Sequence, residues 1–283
     1  MSRTDSQPRF GPDDVIVSPR NKLVRDVARL RRREDREASG TLAAEGPRTL
    51  AEALTGGVHP HLVLYRCDAP HGLLTEARVR GARLVEVSDA VLERLCSRDR
   101  PEGIVSVLPL PRHDLGSLVA GPDALFVVVE AMANQGNLGA VVRSACGAGA
   151  DAVIVCDRRN DVFSPGAVRA SLGMVYRVQI AVTASSEAIA WLGAHDVGVV
   201  AATPASSMHH WDVDLTGRIA IAIGNERTGL SDPWLRAARA RVRIPMPGPT
   251  DSLNATTAAG ILLWEAVRQR AGRHGAAGSS TRA

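Results

Sequence analysis

Three stretches of this chain combine small, polar and charged residues in the manner of a ligand-holding loop. The first, residues 134–143, reads Asn-Gln-Gly-Asn-Leu-Gly-Ala-Val-Val-Arg. Asn137 can cap the helix that follows, and Gly136 and Gly139 allow another backbone to come close. Arg143, about two turns on, is a lone charge among apolar neighbours and needs an anionic partner, either an internal carboxylate or a phosphate or ribose contact. The second stretch, residues 223–231, reads Ile-Gly-Asn-Glu-Arg-Thr-Gly-Leu-Ser. Ser231 stands where a helix cap is expected and Pro233 falls in the first turn, so this loop carries a strand into a helix with glycines at both ends. That shape suits a ligand held by backbone groups. The third, residues 244–260, runs Ile-Pro-Met-Pro-Gly-Pro-Thr-Asp-Ser-Leu-Asn into an apolar helix through Trp264, whose small Ala255, Ala258, Ala259 and Gly260 let a neighbouring backbone pack closely.

The elements that must position these loops follow from hydrophobic patterning. Near-continuous apolar runs at 124–129, 152–155, 175–182, 197–202 and 219–223 alternate with helical patterns at 138–148, 165–172, 187–195, 231–240 and 253–270. Buried strands separated by helices predict a parallel sheet covered on both faces, with ligands outside the carboxyl ends of its strands. Upstream, apolar stretches at 62–65, 83–87 and 103–107 alternate with helical ones at 48–54 and 89–95, a smaller α/β domain. The expected organisation is a flexible leader (1–15), a small α/β domain (16–108), a Pro- and Gly-containing linker (109–122), an α/β parallel-sheet domain (123–270) and a Gly-, Ser- and Ala-rich tail (271–283).

Residues 21–37 read as one helix with Leu23, Val27 and Leu30 on one face. Lys22, Arg25, Arg29, Arg32 and Arg36 gather opposite, softened by Asp26, Glu34, Asp35 and Glu37. That stripe is either a solvated face or a track for phosphates. The net charge of +4 says little by itself, because Lys22 is the only lysine and the arginine skew points to genome composition. Aromatic residues make up 3% of the chain, too few for a surface that binds RNA by stacking, so charge and shape must do most of that work.

Several function classes are excluded. No apolar run approaches the roughly 18 residues of a membrane helix, and the polar start carries no signal peptide, so a cytoplasmic protein is expected. Residues 147–152 imitate a dinucleotide fingerprint but follow a helix and precede a strand, the reverse of the required order. There is no P-loop and no Gly-x-Ser-x-Gly elbow. Ser206, Ser207, His209, His210 and Asp212 lack a third ligand at useful spacing and read as a polar loop, and Cys67, Cys96, Cys146 and Cys156 read as apolar fillers, so no metal is expected.

In this order and spacing, the three loops resemble the motifs of the SpoU/TrmH family of RNA ribose 2′-O-methyltransferases, part of the SPOUT superfamily. The likeness covers about 124–270. Residues 18–108, with Asn21, the basic helix and Glu45-Gly46, resemble the substrate-binding domain that often precedes it. The resemblance implies a trefoil knot, S-adenosylmethionine in the knotted loops, and a homodimer with composite active sites. Asn137, Arg143, Glu226, Ser252 and Asn254 match the family's catalytic positions. Gly224, Asn225, Ile244 and Leu253, with Thr203, match its cofactor contacts, and Lys22, Arg25, Arg29, Arg32 and Arg36 are the implied RNA contacts. Gln135 stands where the family usually has proline, and Ala255-Thr256-Thr257 where Val-Ser-Val is common. The implied activity is S-adenosylmethionine-dependent methylation of 23S ribosomal RNA; the alternatives are a tRNA 2′-O-methyltransferase and a non-catalytic ribosome assembly factor. Because a guanidinium keeps its proton, Arg143 is expected to clamp phosphate and stabilise charge on the 2′-oxygen, with Asn137, Ser252 and Asn254 orienting the ribose and Glu226 fixing its loop.

Overall fold

The computed structural model describes residues 15–279 except 98, 99, 133, 158 and 159, and the side chains up to residue 272. Residues 1–14 of the expected leader lie outside the described residues. The chain divides into two compact units, the first running up to Leu110 and taking in Phe163–Pro165 as well, the second comprising the remainder from Pro111 onward.

The first unit runs α1 (Lys22–Arg29), α2 (Arg33–Ser39), β1 (Thr41–Glu45), α3 (Pro47–Thr55), β2 (Leu62–Tyr65), α4 (His71–Val79), β3 (Arg83–Glu86), α5 (Asp89–Leu95) and β4 (Ile104–Pro109). Its sheet has the order β1-β4-β2-β3, with only the β2/β3 pair parallel. Val24, Val27 and Leu30 pack against Leu64, Val85 and Val105. The expected single helix over 21–37 is instead two, and the cause is Arg36. Its side chain is 1% exposed and donates to the carbonyls of Leu30 (3.0 Å) and Arg31 (2.9 Å), which close the end of α1. Arg36 therefore does not belong to the cationic stripe: a buried cation needs its acceptors inside the protein.

The second unit contains β5 (Leu125–Glu130), α6 (Gln135–Gly147), β6 (Ala152–Cys156), α7 (Pro165–Ala170), β7 (Gln179–Thr183), α8 (Ser185–Ala194), β8 (Gly198–Ala202), β9 (Ile219–Ile223), α9 (Asp232–Ala237), β10 (Ala240–Val242) and α10 (Ala255–Ser279). All strand pairs are parallel, in the order β10-β8-β9-β5-β6-β7. Every residue of β5, β6 and β9 is buried, the pattern of a sheet covered on both faces. Burying each large aliphatic side chain there contributes about 1.5–3 kcal/mol before chain entropy is charged. The strand expected over 175–182 starts later, because residues 174–176 form a 3-10 turn. Part of the expected linker packs into this unit's core through Leu118, and α10 continues into the expected tail. Among the described residues no helix is long and apolar enough to cross a membrane.

The strand order reverses between β5 and β9. The chain lays down β5, β6 and β7 in one direction, then returns to place β9 on the other side of β5. A crevice at the carboxyl ends of the strands is the usual consequence of such a reversal.

Candidate active site

The loop after β5 and the loop after β9 meet at this reversal. Asn134 caps α6, its Oδ1 accepting the backbone N–H groups of Gly136 (2.7 Å) and Asn137 (3.2 Å). Asn137 was the expected cap; with Asn134 in that role its side chain turns across the crevice, and Nδ2 donates to Glu226 Oε1 at 2.8 Å. The third loop joins them where Thr256, in the first turn of α10, donates its hydroxyl to the Asn137 carbonyl (3.4 Å). Asn254 Oδ1 accepts the Thr256 N–H (2.9 Å) and so shapes the start of α10.

The loop over 224–230 is tightly folded. Asn225 and Gly229 exchange backbone hydrogen bonds of 3.1 and 2.9 Å, and Asn225 Oδ1 accepts the Arg227 N–H (2.8 Å). A Cβ on Gly224 would stand 2.2 Å from the Gly229 carbonyl carbon, so glycine is required there by the backbone opposite. Gly139 is equally constrained: its Cβ would lie 2.1 Å from the Ala167 carbonyl oxygen, which is how α6 approaches α7 so closely.

Beyond β8, β9 and β10 a cleft of about 450 Å³ opens, lined by Thr203, Gly224, Asn225, Glu226, Ile244, Ser252 and Leu253 among others. Seven of the positions singled out in the sequence thus share one cavity. Its walls are apolar at Val242, Ile244, Leu253 and Leu262 and carry both signs of charge, with Glu226 and Asp251 facing the same space as Arg227 and Arg243. Asn137 reaches the cleft through Glu226, and Asn254 through the start of α10.

Arg143 is placed differently from expectation. Leu138, Val141, Val142 and Ala145 form the buried stripe of α6, and Arg143 lies outside it, exposed, with no hydrogen bond or ion pair among the described residues. The internal carboxylate allowed by its apolar neighbours is absent there.

Residues 124–264 match the SpoU rRNA Methylase family, and residues 21–106 match the MRM3-like substrate binding domain. The chain belongs to the SpoU family. It is 31% identical over 266 residues to the 23S rRNA (uridine(2479)-2′-O)-methyltransferase of Streptomyces viridochromogenes, covering 90% of this chain and 92% of the relative. A crystal structure described as an RNA 2′-O ribose methyltransferase superposes with a TM-score of 0.82 at 37% identity, over 91% of this chain and all of that one. The AdoMet-bound rRNA methyltransferase of Sinorhizobium meliloti gives a TM-score of 0.82 at 30% identity, over 90% of this chain and 97% of that one.

Within this SpoU fold, sequence reasoning overlooked Asn134, Asp251 and Arg243. Asn134 was visible as a second capping residue three positions before Asn137. Arg243 continues the two-residue alternation of Arg239 and Arg241 through the short strand β10 and enters the cleft from its end.

In the first unit, Lys22, Arg25, Arg29 and Arg32 are exposed. Lys22 pairs with Asp26 (2.9 Å) and holds its carboxyl below the usual range, and Arg29 lies 3.6 Å from Asp35. These exposed pairs contribute little and leave the cations open to exchange for phosphate.

Proposed function

We propose that this protein transfers a methyl group from S-adenosylmethionine to a ribose 2′-hydroxyl of RNA, and that its substrate is 23S ribosomal RNA. The observation that carries the reading is a cleft lined by the second and third loops, to which the first is joined by the Asn137–Glu226 hydrogen bond. The 23S substrate is supported by the named activity of the Streptomyces relative and by the substrate-binding domain match at residues 21–106.

The cleft fits the donor chemically. S-adenosylmethionine carries an adenine ring, a carboxylate, an ammonium and a sulfonium. Apolar walls suit the ring, Arg227 and Arg243 suit the carboxylate, and Glu226 and Asp251 suit the cationic groups. Thr203, Gly224, Asn225, Ile244 and Leu253 would hold it. The Asn225 side chain is committed, with Nδ2 on the Ala131 carbonyl (2.7 Å), and its backbone N–H is spent on Gly229, so what it offers the ligand is the second lone pair of its backbone carbonyl and its place in the cleft wall.

When bound, the donor supplies an electrophilic methyl carbon, and in-line displacement then depends chiefly on alignment of the incoming oxygen. In our reading Asn137, Ser252 and Asn254 orient the ribose, and Glu226 fixes its loop through Asn137. Arg143 clamps the adjoining phosphate and stabilises the negative charge left on the 2′-oxygen as its proton passes to bulk water. Its exposure fits a group whose partner arrives with the substrate. We also assign a homodimer with composite sites, supported by Trp264 of α10, which is 52% exposed beside Gly147 of α6. The three loops are read as the knotted segment of the family. Lys22, Arg25, Arg29 and Arg32 are assigned to the RNA backbone.

The test is methyl transfer from labelled S-adenosylmethionine to 23S RNA, tRNA and DNA. Methylated riboses are mapped by the resistance of their linkages to alkaline cleavage. Modification of 23S RNA alone is expected. Modification of tRNA instead overturns the substrate, and donor binding without any transfer favours an assembly factor. Arg143→Lys tests the clamp, since undiminished turnover would remove the need for a bidentate fork.

A further inference from the structure

The loop that lines the donor cleft is held from below by the last residues of β5. Glu130, 8% exposed, accepts three hydrogen bonds: from the Ser231 N–H (2.7 Å) and hydroxyl (2.7 Å), and from the Ser185 hydroxyl (2.8 Å). Ser231 occupies the cap position of α9 but makes no side-chain cap bond; its hydroxyl is spent on Glu130 instead. The next residue, Ala131, has φ +52°, a left-handed conformation uncommon outside glycine, and its carbonyl accepts Asn225 Nδ2 (2.7 Å). One dipeptide therefore grips both feet of the 225–231 loop. On its far side, Thr228 and Gly229 also line a second cleft of about 610 Å³ containing Glu130, Asp157 and Ser185, so the loop is a thin wall between two open spaces. Besides the grip, the loop is tied by the Asn137–Glu226 hydrogen bond and by Leu230, which is buried in the core with Trp234. Cys156, at the end of the neighbouring strand, carries a thiol pushed up to about 12, chiefly by burial and further by the Glu130 carboxylate.

We propose that Glu130 is a positioning residue for donor binding, acting through Ser231 to hold the 225–231 wall, and with it Glu226, against the donor cleft. The inference rests on the donor reading above. Glu130→Ala leaves the Ser231 N–H without its acceptor and releases one foot of the loop. Glu130→Gln can retain all three contacts, its carbonyl taking the Ser231 N–H and its amide donating to the two hydroxyl oxygens.

The experiment measures the donor dissociation constant by calorimetry, and KM for donor and for RNA separately from kcat at saturation, with the melting temperature of each full-length variant. For Glu130→Ala the expected result is a donor Kd and KM raised at least tenfold, with kcat at saturating donor and KM for RNA changed less than threefold. Glu130→Gln is expected within threefold of wild type throughout. A donor Kd within twofold of wild type in Glu130→Ala overturns the proposal, as does an equal fall in every parameter that tracks only the folded fraction. If Glu130→Ala does not fold, Ser231→Ala and Ser185→Ala decide: a threefold or larger donor effect in the first but not the second supports the loop grip, and equal effects overturn it. Failure of wild-type protein to bind the donor would instead sink the parent reading.

Discussion

Gly224→Ala tests the tightness of the donor loop with a single methyl group. The added Cβ would meet the Gly229 carbonyl carbon at 2.2 Å and oxygen at 2.3 Å, with the Leu230 nitrogen at 2.3 Å. All three are backbone atoms, so no side-chain rotation relieves the clash. Ordinary carbon contact needs about 3.5 Å, and the loop must retreat by roughly 1 Å. Overpacking costs about 1–3 kcal/mol. Losing the paired Asn225–Gly229 bonds costs about 1 kcal/mol each. A cost near 3 kcal/mol on the binding-competent loop corresponds to about a hundredfold loss of donor affinity. Calorimetry with S-adenosylmethionine measures it, with Gly193→Ala as control. Gly193 lies in α8 with no atom within 4 Å of where its Cβ would stand, so alanine there should leave affinity alone and stabilise the fold by about 0.5–1 kcal/mol. A Gly224→Ala protein that binds donor within twofold of wild type would refute the reasoning.

Arg143→Ala should reduce turnover at least a hundredfold while leaving donor affinity within twofold, because the residue lies outside the donor cleft; calorimetry and single-turnover transfer separate the two. Arg25→Ala should weaken RNA binding and reduce its log–log salt slope by about 1, whereas Arg36→Ala should lower thermal stability by about 3 kcal/mol, since it removes the buried cap on α1. Filter binding across a salt series and thermal melts check the pair. Cys156 predicts a pH effect of defined sign: its folded value near 12 exceeds the ordinary thiol value, so the native state keeps a proton that the unfolded chain releases. Its contribution is complete below about pH 8.5 and is lost as pH rises toward 12, with a slope approaching about 1.4 kcal/mol per unit. Denaturant melts between pH 8 and 10 should show this decline, flattened in Cys156→Ala; an unchanged slope would exclude the thiol as its source.

Much of this architecture was legible in the chain because burial on both faces leaves long apolar runs, as in β5, β6 and β9. The three-residue β10 was not, since so short a strand carries no periodic signal and is stabilised by pairing with β8. Arg36 and Lys22 belong to the same sequence stripe, and only the break after α1 sends one inward and leaves the other exposed. Arg143 was misplaced although the register of Leu138, Val141, Val142 and Ala145 already excludes position 143 from the buried stripe. The cleft residues were found through motif order. The Glu130–Ser231 link spans 101 positions, and no local pattern announces a contact of that range.

The claim beneath all of this is that the donor lies among the ends of β8, β9 and β10. Ultraviolet cross-linking of methyl-tritiated S-adenosylmethionine to the full-length protein, followed by sequencing of the labelled peptides, tests it most directly. Label within residues 202–205, 223–229 or 242–253 is the predicted result. Label confined to the cleft beside Glu130, Asp157 and Ser185, or to residues before Leu110, would contradict it.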